Sequence, residues 1–271
     1  MSVIVEHDDA TAVARPSSEP PGWACDLCGG LRRRPLHQWP VGDAWNPASI
    51  ELCVWQCETC RLVCLHPVPA AHELPNAGDW WSGSRRRPRR WRWIKQLRES
   101  LRRALLGSSA ERLVRATHRL LPRGRFLEVG CGDGMLLPIV RRYYAEVVGL
   151  EPSPLGAAKA RQRGLQVIES TFEAADVPPE SFDVILMDAV IEHLGSPLAV
   201  LRQANGILRP GGVIVMRTPK FGGPAYRMHG RAWNGFRHGY HTFLFDGSTL
   251  GALLEKAGFE VLRKPRRDRP L

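Results

Sequence analysis

Beyond about residue 125 the apolar positions fall into short runs of β-branched and aliphatic residues, separated by stretches in which they recur at helical spacing. The runs predict strands at 126–129, 147–150, 167–168, 184–186, 213–216 and 260–262. The intervening stretches predict helices at 136–144, 154–163, 198–208 and 248–257, the last followed by Gly258 as a residue able to turn the chain out of a helix. Strands alternating with helices imply the α/β class: a Rossmann-like, doubly wound, mainly parallel sheet with helices on both faces. The longest apolar runs, 184–187 and 213–216, fall far short of the roughly 20 residues of a membrane span. No transmembrane helix is expected, and there is no internal repeat.

The N-terminal third follows another pattern. Cys25, Cys28, Cys53, Cys57, Cys60 and Cys64 lie within 40 residues, only Cys131 lies elsewhere, and eight of the nine tryptophans precede residue 94. The composition divides the chain into a disordered tail (1–21), a small Cys/Trp module (22–70), a basic connector (71–121) and the α/β domain (122–271). The opening residues lack a basic stretch followed by an apolar one, so the sequence reads as that of a cytoplasmic protein. A disulfide scaffold belongs to small secreted domains; metal binding is the better reading. Cys25-x-x-Cys28 and Cys57-x-x-Cys60 form two knuckles 28 residues apart, suited to one tetrahedral Zn²⁺ in a zinc-ribbon-like module. Cys53 and Cys64 flank the second knuckle as alternative ligands. Four thiolates leave no open coordination position, which makes such a zinc structural.

Charge is concentrated as well. The chain carries a formal +11, and residues 85–103 hold ten Lys/Arg against one acid. There Trp91, Ile94, Leu97, Leu101 and Leu105 line one side of an amphipathic basic helix. Such a helix suits an anionic partner (RNA phosphates, a nucleotide-sugar diphosphate, a carrier's phosphopantetheine or a membrane surface), or it lays its apolar stripe over a cleft.

The segment FLEVGCGDGMLL places Gly130, Gly132 and Gly134 between the first predicted strand and a helix, and Glu151 ends the next strand. Glycines permit a tight turn and close approach of a ligand to main-chain N–H groups, while a carboxylate at the neighbouring strand tip can accept ribose hydroxyls. A dinucleotide fingerprint needs glycine where Met135 stands, and Glu128 adds an acid two residues before the first glycine. This arrangement, with FDVILMDAVIEHL and LRPGGVIVMRTP further on, resembles the class I S-adenosylmethionine-dependent methyltransferases over about 125–262. The resemblance implies S-adenosylmethionine as cofactor, with Glu128, Gly130, Gly132, Gly134 and Glu151 around it, Asp188 near its amino-acid end or sulfonium, and Thr171 and Phe172 flanking the adenine. CETCRLVCLHPVP is similar to the second knuckle of a zinc-binding domain found in bacterial sugar and natural-product methyltransferases. Arg61 stands where that pattern has glycine, which strains a knuckle turn of positive φ. The family's sheet closes with a seventh strand, whereas this chain ends nine residues after 262, so that strand is expected to be missing.

Methyl transfer is an in-line displacement, so the protein must align the acceptor and exclude water. A hydroxyl or amine acceptor must also lose a proton, a task for a neutral imidazole. The candidates are His193, beyond the fourth strand, and His238 and His241, in an insertion between the fifth strand and the last helix. The leading expectation is methyl transfer to a small-molecule acceptor, a sugar or natural-product intermediate. The alternative is an RNA methyltransferase gripping nucleic acid with the zinc module and the Arg/Trp segment. Against it, MDAVIEHL stands where an N-P-P-Y or D-P-P-Y motif would hold a base amine. A non-catalytic module on a degenerate domain is disfavoured by the intact glycines and acids.

Overall fold

In a computed structural model, residues 23–43, 46, 50–68, 109–236 and 240–262 are described. The N-terminal tail, the basic amphipathic helix and His238 lie outside them.

Three strands open the chain: β1 (Arg33–Trp39), β2 (Leu52–Cys57) and β3 (Val63–His66), paired antiparallel in that order. The α/β part then runs α1 (Ser109–Leu120), β4 (Arg125–Val129), α2 (Leu137–Val140), β5 (Glu146–Leu150), α3 (Pro154–Gln162), β6 (Gln166–Ile168) and β7 (Phe182–Asp188). It continues through α4 (Pro197–Ile207), β8 (Leu208–Arg217), α5 (Pro224–His229), β9 (Phe243–Leu244) and α6 (Gly247–Lys256). β6-β5-β4-β7-β8 form a wholly parallel sheet.

Strand periodicity decides what lies on each face. Leu127, Val129, Ile185 and Met187 point to one side and pack with Leu201 and Ala204 of α4 and Leu253 of α6. Phe126, Val184 and Leu186 point to the other, against Val114 of α1, Leu137 and Val140 of α2 and Ala160 of α3. A buried strand must be apolar on both faces, which is why the strands read as continuous hydrophobic runs. Each fully buried aliphatic or aromatic side chain contributes roughly 1.5–3 kcal/mol.

Helix starts are fixed locally. Ser153 accepts the Gly156 N–H and Ser196 the Ala199 N–H, each just before a proline that opens the helix. Asp246 accepts the Ser248 and Thr249 N–H groups while Thr249 returns a bond to the Asp246 N–H, a reciprocal cap on α6.

The cysteine segment is continuous with the α/β part. β9, from the insertion after β8, pairs antiparallel with β3 as a fourth strand. Cys25, Leu27, Cys57 and Leu62 belong to the same buried cluster as α4 and α6. Two expectations are corrected. Residues 260–262 are not a strand: Phe259 packs inward, Leu262 is exposed, and so short a run finds no partner among the described residues. The helix expected at 136–144 is regular only over Leu137–Val140 and ends in turns, where Tyr144 drops into the core and its hydroxyl bonds the Leu121 carbonyl. Among the described residues no helix is long and apolar enough to cross a membrane.

Candidate functional site

Because β4, β5 and β7 run parallel, their carboxyl ends, at Val129, Leu150 and Asp188, open on the same edge of the sheet. A ligand crevice forms there in open α/β sheets. The chain leaves β4 through Gly130, Gly132 and Gly134, with φ of +66°, +58° and +74°. At Gly130 a Cβ would stand 2.8 Å from a Val190 methyl, so this position requires glycine for space as well as conformation. The loop does not aim its amides at the crevice as the sequence suggested. Gly130 and Cys131 donate to the Leu150 carbonyl, and Gly132 donates to Glu151 Oε2 at 2.9 Å. Glu151 is the acidic tip of β5, and its second oxygen accepts the Ser153 N–H at 2.9 Å. Each carboxylate oxygen keeps a second lone pair.

A cavity of about 1080 Å³ opens along this edge. Its lining includes Gly130, Glu151, Ser153, Thr171 and Phe172 as well as Asp188, His193, His241, Trp233 and Asn234. Thr171 caps its own turn by accepting the Ala174 N–H, and Phe172 is nearly buried with its carbonyl held by Gln203. Asp188 touches the cavity, but Arg217 of the adjacent strand grips both its oxygens, with Nε to Oδ1 at 2.6 Å. Glu128, Gly132 and Gly134 are not part of the lining.

Glu128 lies within β4 with Oε2 lacking any hydrogen-bond partner. Burial, with the carboxylates of Asp188 and Glu151 nearby, pushes its carboxyl up to about 8. An orphaned acid beside two further carboxylates fits a cationic group, and the ammonium and sulfonium of S-adenosylmethionine are cationic. Glu151, with acceptor capacity to spare, suits a ribose. These residues therefore fit that molecule.

Two of the candidate histidines, His193 and His241, meet in the cavity lining. Their rings are edge to face with centroids 4.7 Å apart. His193 Nδ1 lies 2.8 Å from the Tyr240 carbonyl and His241 Nδ1 2.6 Å from that of Gly235. A carbonyl only accepts, so in both rings Nδ1 carries the proton and, in the neutral ring, Nε2 carries the lone pair. His241 is buried and His193 half-buried.

The four knuckle cysteines converge. Their sulfurs all lie within 4.8 Å of one another, with Cys25–Cys60 at 3.4 Å and Cys28–Cys57 at 3.5 Å. Thiolates on a tetrahedral Zn²⁺ at ~2.3 Å stand about 3.8 Å apart, so the set fits that ion. The Cys57 thiol is pulled down to about 7, against its own burial, by the Cys60 and Thr59 N–H groups and by thiols of the cluster. Cys53 and Cys64 do not join. They pack with Trp55, and burial pushes both thiols up to about 12. Arg61 adopts φ +67° and donates its N–H to the Cys57 carbonyl, the left-handed turn expected at that position.

Trp233, Asn234 and Arg217 escaped the sequence reading. Trp233 carried a faint signal as the only tryptophan after residue 93. Arg217 carried none, because its pairing with Asp188 follows from β7–β8 register.

The family model "Methyltransferase domain" matches residues 70–264. A ubiquinone biosynthesis O-methyltransferase of Ruegeria pomeroyi is 36% identical over 110 residues, 38% of this chain and 44% of that protein. One from Xanthomonas campestris pv. campestris is 32% identical over 105 residues, 36% of this chain and 44% of that protein. In each case the match spans less than half of the curated relative. Among solved structures, an S-adenosylmethionine-dependent methyltransferase from Mesorhizobium loti is 21% identical with a TM-score of 0.48, covering 58% of this chain and 84% of that one. With most of its length matched by that family model, the chain belongs to the methyltransferase-domain family, in its class I, S-adenosylmethionine-dependent branch.

Proposed function

We propose that this protein transfers a methyl group from S-adenosylmethionine to an acceptor hydroxyl or amine of a small molecule, a sugar or natural-product intermediate. The observation that carries the reading is one cavity lined both by Glu151, the acidic tip of β5, and by the histidine pair. The names of the matched relatives support it, since ubiquinone biosynthesis O-methyltransferases act on small-molecule oxygen acceptors.

Glu151 accepts the ribose hydroxyls, Gly130 leaves room beside the strand tip, and Phe172 presents an apolar surface for the adenine, with Thr171 at its edge. Glu128 and Asp188 stand near the amino-acid end, where a bound ammonium and sulfonium would favour the ionised form of the Glu128 carboxyl, while Gly132 and Gly134 give the loop its curvature. When bound, S-adenosylmethionine supplies an electrophilic methyl on a sulfonium. His193, with Nδ1 tied to Tyr240, offers Nε2 to the acceptor proton, and His241 braces the ring edge to face. Trp233 walls the acceptor side and helps exclude water. Cys25, Cys28, Cys57 and Cys60 hold a structural Zn²⁺.

Calorimetry of the full chain with S-adenosylhomocysteine, together with mass spectrometry of a metabolite extract incubated with methyl-labelled S-adenosylmethionine, tests the reading. Saturable heat and a labelled small molecule are expected. No heat at millimolar ligand, or label entering only RNA, overturns it.

A further inference from the structure

The first cysteine knuckle reaches the start of α4 through Asp26, between Cys25 and Cys28. Its Oδ1 accepts the Ser196 hydroxyl at 2.6 Å and its Oδ2 accepts the Leu198 N–H at 2.8 Å. Ser196 itself caps α4 by accepting the Ala199 N–H. The unpaired donors in the first turn of α4 are thus shared between the helix's own cap and a carboxylate from the cysteine module. Only Leu194 and Gly195 separate Ser196 from His193.

A second tie holds the segment just before α4. The Leu65 N–H of β3 donates to the Thr242 carbonyl at 2.8 Å. Thr242 in turn donates its N–H to the Glu192 carbonyl at 2.8 Å, while its hydroxyl lies 3.0 Å from the Glu192 oxygen and 2.9 Å from that of Leu194. The Lys256 ammonium donates to the Leu27 carbonyl, anchoring the knuckle backbone to α6. Thr242 thus holds the Ile191–His193 turn directly, and three residues beyond His193 Asp26 holds Ser196 at the start of α4. The His193 ring itself is tied through Nδ1 to the Tyr240 carbonyl.

We propose that Asp26 is a positioning residue for His193: through Ser196 and the first turn of α4 it fixes the Ile191–His193 turn, with Thr242 as the opposing restraint. In this way it sets the tautomer in which His193 presents Nε2. The inference rests on the reading of His193 as the acceptor's base.

The test uses the full chain labelled with ¹⁵N-histidine and followed by long-range ¹H–¹⁵N spectra across neutral pH, with signals assigned from His193→Gln and His241→Gln. The expected result is a single Nδ1–H form for His193 in the native protein. In Asp26→Ala the signal shifts toward a mixture with the Nε2–H form, at unchanged affinity for S-adenosylhomocysteine. Asp26→Asn, of the same shape with one acceptor instead of two, shifts it less in the same direction and serves if the alanine variant does not fold. Tyr144→Phe removes the hydroxyl bond to the Leu121 carbonyl, in the buried cluster on the other face of the sheet from α4, and controls for general destabilisation. A native His193 spectrum in the Asp26 variants, or an equal change in Tyr144→Phe, overturns the proposal. Failure of the base reading is visible separately, as full turnover in His193→Gln with the tautomer result intact.

Discussion

A carboxyl buried inside a parallel strand, as Glu128 is, works against the stability of the strand that carries it. The unfolded chain titrates this group near 4.5 and the folded chain near 8. As pH rises between those values the folded state keeps a proton that the unfolded state has lost, so stability declines through that window and levels off above it. Glu128→Gln cannot titrate, and its melting temperature is expected to fall less than the native protein's between pH 5 and about pH 8, by roughly 10 °C at ~1.4 kcal/mol per pKa unit and ~2–4 °C per kcal/mol; thermal scans at the two pH values check it. His193→Gln is expected to lower turnover by about 10²–10⁴ while leaving S-adenosylhomocysteine affinity unchanged, which steady-state kinetics and calorimetry separate. Arg61 spends free energy on a left-handed backbone. Arg61→Gly is therefore expected to raise unfolding stability by about 0.5–1 kcal/mol in urea titration. The acids and His193 were legible in the sequence because each sits at a fixed offset from a strand end. Arg217 and Thr242 were not, because their partners are set by sheet register and by a crossing of the insertion.

Among the elements, the cysteine module has the most to lose from a change of ligand. Thiols at 3.4 and 3.5 Å, one of each pair buried, crowd one another without a cation. Chelation of a bound metal, or Cys28→Ser, is expected to lower stability by several kcal/mol, with zinc near one per chain in the native protein by elemental analysis and well below one in the variant. The two knuckles were readable from C-x-x-C spacing alone, because a tetrahedral thiolate set needs two tight turns and little else. The pairing of β9 with β3 was not readable: two residues, Phe243 and Leu244, carry no period, and only contact with the Cys64 strand makes them a strand. The helices were placed to within a residue or two wherever a serine or aspartate cap and a following proline or small residue marked the start.

At the scale of the whole molecule, the cysteine module and the parallel sheet share one buried cluster through Cys25, Leu27, Cys57 and Leu62. Surfaces that share a core do not unfold independently. Tryptophan fluorescence, dominated by the N-terminal third, and far-ultraviolet circular dichroism are therefore expected to report one coincident thermal transition. Two separate transitions would show that the cluster does not couple them.

The sequence by itself determined the alternation of strands and helices, the glycine loop with its acids, and the paired knuckles, since each arises from residues close together in the chain and answers to local sterics, periodicity or ligand geometry. Only the tertiary structure decided that the loop amides turn toward β5, that Arg217 holds Asp188, that the Glu260 run forms no strand, and that a carboxylate from the first knuckle accepts from the first turn of α4. Those outcomes depend on which surfaces meet across many residues of separation, and no local pattern encodes them.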